Sequence, residues 1–185
     1  LFAYAKQNPE KLFISNAGVG SSSHLIAALV TNAAGLKPTL VAYKGAGPAL
    51  VDVIGGQVDG MFDQTNTALP QIQQKKVRAL AVTSRARLPQ LQQVPTLAET
   101  VLPGFEASTW YGIYAPKGTP KAALEAVQNA YLTVMKDKDF TAKMTAQAIQ
   151  LLPASDYTGP ALARHTEAEV LRWRAAAAKT GLSLE

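Results

Sequence analysis

The chain contains no cysteine, which removes disulfides, thiolate catalysis and cysteine-based zinc sites together. Histidine is scarce as well. His24 and His165 are the only two, and two isolated imidazoles do not make a metal site, so neither a metal nor a cofactor is expected. No uninterrupted apolar run reaches the length of a membrane span. Lys6, Gln7, Asn8 and Glu10 interrupt the opening residues, so no signal peptide is expected within the chain. Flexible linkers, low-complexity tracts and internal repeats are also missing. The net charge is +5, but its densest basic pairs, Lys75-Lys76 and Arg85 with Arg87, are not interleaved with aromatics. The excess therefore reads as a solvated basic surface, and no nucleic-acid partner is expected.

What is present is apolar material: 48% of the 185 residues are hydrophobic and 17% charged, enough for one sizeable core or two small lobes. The stretch Leu12 to Leu25, LFISNAGVGSSSHL, is the most informative. An apolar run (Leu12, Phe13, Ile14) predicts a buried strand. Glycines and small hydroxyls then predict a turn, and His24 to Val30 the start of a helix. The first turn of a helix has amides without internal partners and partial positive charge. Gly18 and Gly20 let the backbone approach a ligand closely, and Ser21, Ser22 and Ser23 place hydroxyls beside those amides. That chemistry suits a small anion, preferably a carboxylate.

The alternation continues downstream. Leu1 to Lys6 reads as the tail of a helix, stopped by Asn8-Pro9. Gly35 stops the next helix, and Leu40 to Tyr43 is the second strand. Lys44-Gly45-Ala46-Gly47 turns into a helix with Pro48 near its start, an apolar face of Leu50, Val51 and Ile54, and a Gly55-Gly56 end. Val58 to Phe62 is a third strand with Asp63 at its exit. A helix over Thr67 to Gln74 requires Pro70 in its first turn, and Val77 to Thr83 is a fourth buried strand. Strands alternating with helices predict a parallel sheet, whose strand exits gather on one edge where ligands bind. The Gly18–Ser23 turn, the Tyr43–Gly47 turn and Asp63 should therefore converge.

Beyond Arg87 the prolines Pro89, Pro95 and Pro103 punctuate a connection around a short helix, Thr96 to Thr100. Trp110 to Tyr114 is extended, and Pro116 to Pro120 opens a helix with Leu124, Val127, Tyr131 and Val134 on one face. Asp139 to Ala148 is a further helix, and Ile149 to Leu152 a short strand. Thr158 caps the last helix, with Pro160 in its first turn. Leu162, Val170, Trp173 and Ala177 mark its buried side, and Arg172, Arg174 and Lys179 suit its C-terminal half. The shift at Pro103–Gly104 predicts a boundary between two lobes.

Several chemistries are weighed at these residues. Gly18 and Gly20 begin a dinucleotide fingerprint, but Ser23 replaces its third glycine and Pro38 stands where the ribose-binding acid belongs. The same glycines also suit a tight turn with no ligand. Ser22 and His24 are two apart on a helix and cannot form a nucleophile–base pair, so the chain is not expected to be an enzyme. Tyr43 and Lys44 offer a hydroxyl and a charge at the ligand edge, or close the core and meet solvent respectively. Asp63 suits an amino group or caps the next helix, whereas Asp52 and Asp59 read as surface charges.

Taken together, SNAGVGSSSHL at 15–25, YKGAGPALVDVIGGQVDGMFD at 43–63, VRALAVTSRARLPQLQQVPTLAET at 77–100 and PGFEASTWYGIYAPKGTP at 103–120 resemble the Bug or TctC-like solute-binding receptors of tripartite tricarboxylate transporters. The resemblance implies a periplasmic, non-catalytic receptor of the α/β, periplasmic-binding-protein type II-like class. By this resemblance residues 7–104 form one complete parallel-sheet lobe, and 105–185 the mainly helical C-terminal part of the opposing lobe, whose N-terminal part is absent. The implied ligand is a small carboxylate or an amino acid, held by Gly18, Gly20, Ser21, Ser22 and His24, with Tyr43, Lys44, Gly45 and Asp63 lining the same cleft. The implied partners are membrane transporter subunits, with a homodimer through the orphan lobe surface. Gln74-Lys75-Lys76 departs from the family's usual glycine turn, and Gly159-Pro160 delays the last helix. The competing readings are the ligand-sensing domain of a transcription regulator and an enzyme on a Rossmann-like sheet.

Overall fold

The computed structural model describes residues 1–180; the expectations for the Lys179 side chain and for 181–185 lie outside the described residues. Helix α1 (Phe2–Gln7) precedes strand β1 (Phe13–Asn16), helix α2 (Ser22–Ala33), strand β2 (Thr39–Ala42), helix α3 (Ala46–Ile54), strand β3 (Gly60–Met61) and helix α4 (Thr65–Gln73). Then come the short α5 (Leu97–Thr100), α6 (Lys121–Val134), α7 (Lys138–Ala146) and α8 (Gly159–Thr180). The three strands form one parallel sheet in the order β2-β1-β3, as the alternating pattern predicted.

The β1 residues alternate between two layers. Ile14 joins Ala5, Leu12, Ala27 and Leu36 in a buried cluster, with Phe2, Leu40 and Phe62 packed against it. Ser15, on the other face, donates its hydroxyl to Ala49 O of α3 (3.4 Å). Helices α2 and α3 end in the same way. Gly35 and Gly56 adopt φ of +64° and +72°, and the next amides reach back, Leu36 N to Thr31 O (2.7 Å) and Gln57 N to Asp52 O (2.9 Å). This is the left-handed stop that glycine makes without strain. Lys75 ends α4 at φ +58°, the same left-handed stop made by a residue other than glycine.

Several expectations are corrected. Val77 to Thr83 is not a strand: only Val82 bridges, parallel, to Thr96, through Val82 N to Pro95 O and Leu97 N to Val82 O (2.9 Å each). The third strand shortens from Val58–Phe62 to two residues. Helix α4 starts at Thr65, which leaves Pro70 inside it and not in its first turn. Its N-cap is Gln64, which makes no side-chain capping bond, and the Asp63 carboxylate just before it accepts the Thr67 hydroxyl (2.8 Å). On α3, Ala49 and Leu50 are buried, but Val51 and Ile54 are exposed. Ile149 to Leu152 forms no strand, and Ala148 closes α7 before it in a left-handed turn at φ +57°.

The chain divides into two compact units, Trp110–Trp173 and Leu1–Thr109 with the residues from Arg174 onward. That division lies five residues beyond the expected 104/105 boundary, and the C-terminal part of α8 belongs with the first unit. In the second unit the predicted apolar face of α6 forms, but Leu124, Val127 and Val134 are exposed, as is Val170 of α8.

Candidate functional site

The residues proposed from sequence meet at the exits of the three strands. Asn16 O accepts Tyr43 N–H (3.0 Å) and Ala17 O accepts Gly45 N–H (3.1 Å), which join the β1 and β2 exits. Gly18 adopts φ +130°, and a Cβ there would sit 3.2 Å from Tyr43 O. Both the angle and the close approach require glycine. The β3 exit is joined in turn, because Gln64 Nε2 donates to Ser22 Oγ (3.2 Å). The Gly18–Ser23 turn, the Tyr43–Gly45 turn and the Asp63–Gln64 loop are thus brought together. Gly20 remains exposed and Ser21 half-buried at the surface of this assembly.

The amides are distributed differently from the expectation. Gly18 N–H donates to Asn16 Oδ1 (3.0 Å), and Gly20 N–H donates to His24 Nδ1 (3.1 Å). Ser21 N–H donates to Gly18 O (3.1 Å). Of the Gly20–Ser22 amides favoured for ligand capture, those of Gly20 and Ser21 are therefore consumed within the turn. Ser21 is the helix N-cap, its hydroxyl oxygen accepting His24 N–H (3.3 Å), and it donates to Gly18 O (2.6 Å). Ser23 is buried, and its hydroxyl accepts Ala17 N–H (2.8 Å). The amides of Val19, Ser22 and Ser23 find no protein acceptor among the described residues. They lie at the N-terminal end of α2, where the helix dipole favours negative charge.

His24 is buried, and its Nδ1 accepts a hydrogen bond, so its proton sits on Nε2. It shapes the turn through Gly20. The Tyr43 hydroxyl is not offered to a ligand, because it donates to Asp52 Oδ2 (2.6 Å). That bond raises the phenol's pKa, with burial adding to the effect. Lys44 is exposed and forms no ion pair among the described residues. Burial pushes the Asp63 carboxyl above the usual range, against the hydrogen bonds from the Thr67 hydroxyl and the Gln64 backbone. Asp52 and Asp59, read as surface charges, are structural acceptors: Asp59 Oδ2 takes Phe13 N–H (2.8 Å) at the head of β1.

Sequence reasoning missed two contributors, Asn16 and Gln64, and it offered the Ser23 hydroxyl to a ligand, whereas that hydroxyl serves the Ala17 amide. Asn16 had a readable signal, since an Asn two residues before a glycine commonly bonds the backbone two positions on.

With this geometry in place, the chain matches the tripartite tricarboxylate transporter family receptor, TctC, over residues 1–182. It belongs to that family. Among solved structures, the periplasmic binding protein BugD superposes with a TM-score of 0.93 at 35% identity, covering 98% of this chain and 60% of its own. Rpa4515 of R. palustris, solved with adipate, gives 0.88 at 31% identity with the same coverages. MatC (Rpa3494) of Rhodopseudomonas palustris, solved with bound malate, gives 0.89 at 30% identity, covering 95% of this chain and 60% of its own. This TctC-family chain therefore spans about 60% of the length of these relatives. Their parallel α/β fold is the one observed here.

The family consists of transporter receptors, and the site agrees with a non-catalytic role. Ser22 Oγ is paired with Gln64 and His24 Nδ1 with the Gly20 amide, so no nucleophile–base pair is assembled from them. Among the described residues no helix is long and apolar enough to cross a membrane, and no cluster of metal-ligating side chains occurs.

Proposed function

We propose that the Leu1–Thr109 unit is the carboxylate-gripping part of a periplasmic solute-binding receptor serving a tripartite tricarboxylate-type transporter. The observation that carries this reading is the cluster of unpaired Val19, Ser22 and Ser23 amides at the junction of three strand exits. It is supported by relatives solved with adipate and with malate, both dicarboxylates, and by BugD being a periplasmic binding protein. The Ser22 hydroxyl accepts from Gln64 and so keeps its own proton to donate. Lys44 adds a cation at the rim. Asp63 beside this group suits an amino acid, whose ammonium it would hold while the amides take the carboxylate. Membership of a transporter receptor family favours this reading over a regulator's sensing domain.

The second unit completes the reading. None of its residues from Trp110 to Trp173 is buried, so its apolar face is the surface that meets a transporter subunit, further receptor polypeptide or a second copy. With one gripping lobe the chain binds weakly, with Kd on the order of millimolar. Titration of the 15N-labelled chain with adipate and with malate tests the proposal. Saturable shifts should concentrate at Val19, Ser22, Ser23 and the Tyr43–Gly45 turn. Shifts scattered over the surface, or none at tens of millimolar, would refute it.

A further inference from the structure

One side chain beneath the turn is only half used. Asn16 is wholly buried, at 0% exposure, and ends β1 directly before the turn. Its Oδ1 accepts Gly18 N–H at 3.0 Å, which fixes the orientation of the carboxamide, because only the oxygen can accept. Nδ2 is then a buried donor, and it has no hydrogen-bond partner. Native interiors pair nearly all such groups. An orphan marks a place where something else binds or where the arrangement changes.

Its neighbours share the same character. The unpaired amides of Val19, Ser22 and Ser23 lie within seven residues of Asn16 along the same turn. Two bonds hold Asn16 against this turn and against the β2 exit, Oδ1 to Gly18 N–H and its own carbonyl to Tyr43 N–H. The carboxamide is thus anchored to both segments that border the site, with one donor left over.

We propose that Asn16 is the floor of the carboxylate site, its Nδ2 donating to an oxygen of the bound group. This rests on the anion-capture reading above and adds a binding residue to it. Nδ2 is buried beneath the turn, so the oxygen reaches it as the turn yields. Gly18 and Gly20, at φ +130° and +77°, supply backbone that can do so. Occupancy of the site is in this way transmitted to β1, the central strand of the sheet.

The test follows the Asn16 side-chain NH2 pair in the 15N-labelled chain during an adipate titration, assigned by its loss in Asn16→Asp. The pair should shift and saturate together with the Val19, Ser22 and Ser23 amides. Asn16→Asp keeps an oxygen for Gly18 N–H but replaces the donor with a charged acceptor, and should weaken adipate binding by about tenfold or more. Asn16→Ser, which adds no charge, covers the case in which the aspartate does not fold. It should weaken binding by roughly three- to tenfold while the Tyr43 amide, bonded to the Asn16 backbone carbonyl, keeps its native shift. If the backbone amides respond but the Asn16 pair stays still, or if Asn16→Ser binds as the parent does, the inference falls and the capture reading stands. If neither responds, both fall.

Discussion

The two units of the chain are written in the same local vocabulary, yet they end in opposite states. Both contain capped helices: Ser21 and Thr96 cap α2 and α5 in the first, and Asp137 caps α7 in the second. Both use left-handed stops, Lys75 in one and Ala148 in the other. Yet every buried hydrophobic residue, from Ala5 to Ala107 and then Ala177, belongs to the first unit. Helices of 14 and nine residues, such as α6 and α7, are marginal without packing. Capping and periodicity therefore specify where helices run, whereas stability comes from the layer that covers them. The first unit has its cover within reach, on both faces of a sheet. The second presents an apolar stripe that the described residues leave open.

The largest effect that tests this contrast is a paired truncation. Leu12 is 2% exposed and Leu124 45% exposed. Leu12→Ala should cost about 2–5 kcal/mol in urea unfolding, and Leu124→Ala no more than about 0.5 kcal/mol. A comparable loss at Leu124 would mean that the α6 face is covered in solution, and it should then vanish on dilution if a second copy supplies the cover.

A smaller effect comes from the two matched stops. Lys75→Gly relieves a non-glycine residue at φ +58° and should stabilise by about 0.5–1 kcal/mol. Ala148→Gly relieves the same geometry at φ +57°, but in a unit without its own core. Its gain should appear in the helicity of α7 and leave the main unfolding transition where it was. Equal shifts in that transition would show the two units unfolding as one.

The smallest effects are in the pH dependence. Glu99 is held below the usual carboxylate range by the Thr96 backbone amide and then by Arg87. Its contribution is present above the ordinary value and lost as pH falls through the lowered one, so Glu99→Gln should flatten the acid limb. Asp63 has the opposite sign. Its pKa is raised by burial, so its contribution is present below the ordinary value and lost as pH rises through the raised one. Asp63→Asn should therefore favour the fold above that window. In the second unit, burial pushes Glu169 up, but Arg172, Trp173 and His165 together take it below its usual value. Its acid loss should leave the main unfolding transition unmoved if the units are independent. Circular dichroism across an acid titration separates the three.

Legibility followed the same division between local and long-range causes. The β1–turn–α2 stretch, the Gly35 and Gly55-Gly56 stops, the Thr96–Thr100 helix and the Thr158 cap were readable, because each is settled within a few residues. Convergence of the strand exits was readable too, since parallel topology dictates it. What escaped was pairing across distance. Val77 to Thr83 has strand composition but lacks a ladder neighbour among the described residues. Val51, Ile54 and Leu124 are apolar at the right spacing, yet exposed. At the site, a donor's availability depends on which acceptor reaches it first, so Gly20 lost its amide to His24 and Tyr43 its hydroxyl to Asp52. Spacing could not settle either contest.

The middle position of β1 carries a consequence for the order of folding. Both of its neighbours come later in the chain, and the Phe13–Asp59 bond joins residues 46 positions apart. The segment that becomes the anion turn precedes both neighbours in the chain and has no complete frame until Gly60–Met61 joins it. Until then at least one edge of the first strand stands open, a state prone to wrong pairing. The unit's exposure to misfolding should therefore be set by how quickly its shortest strand docks.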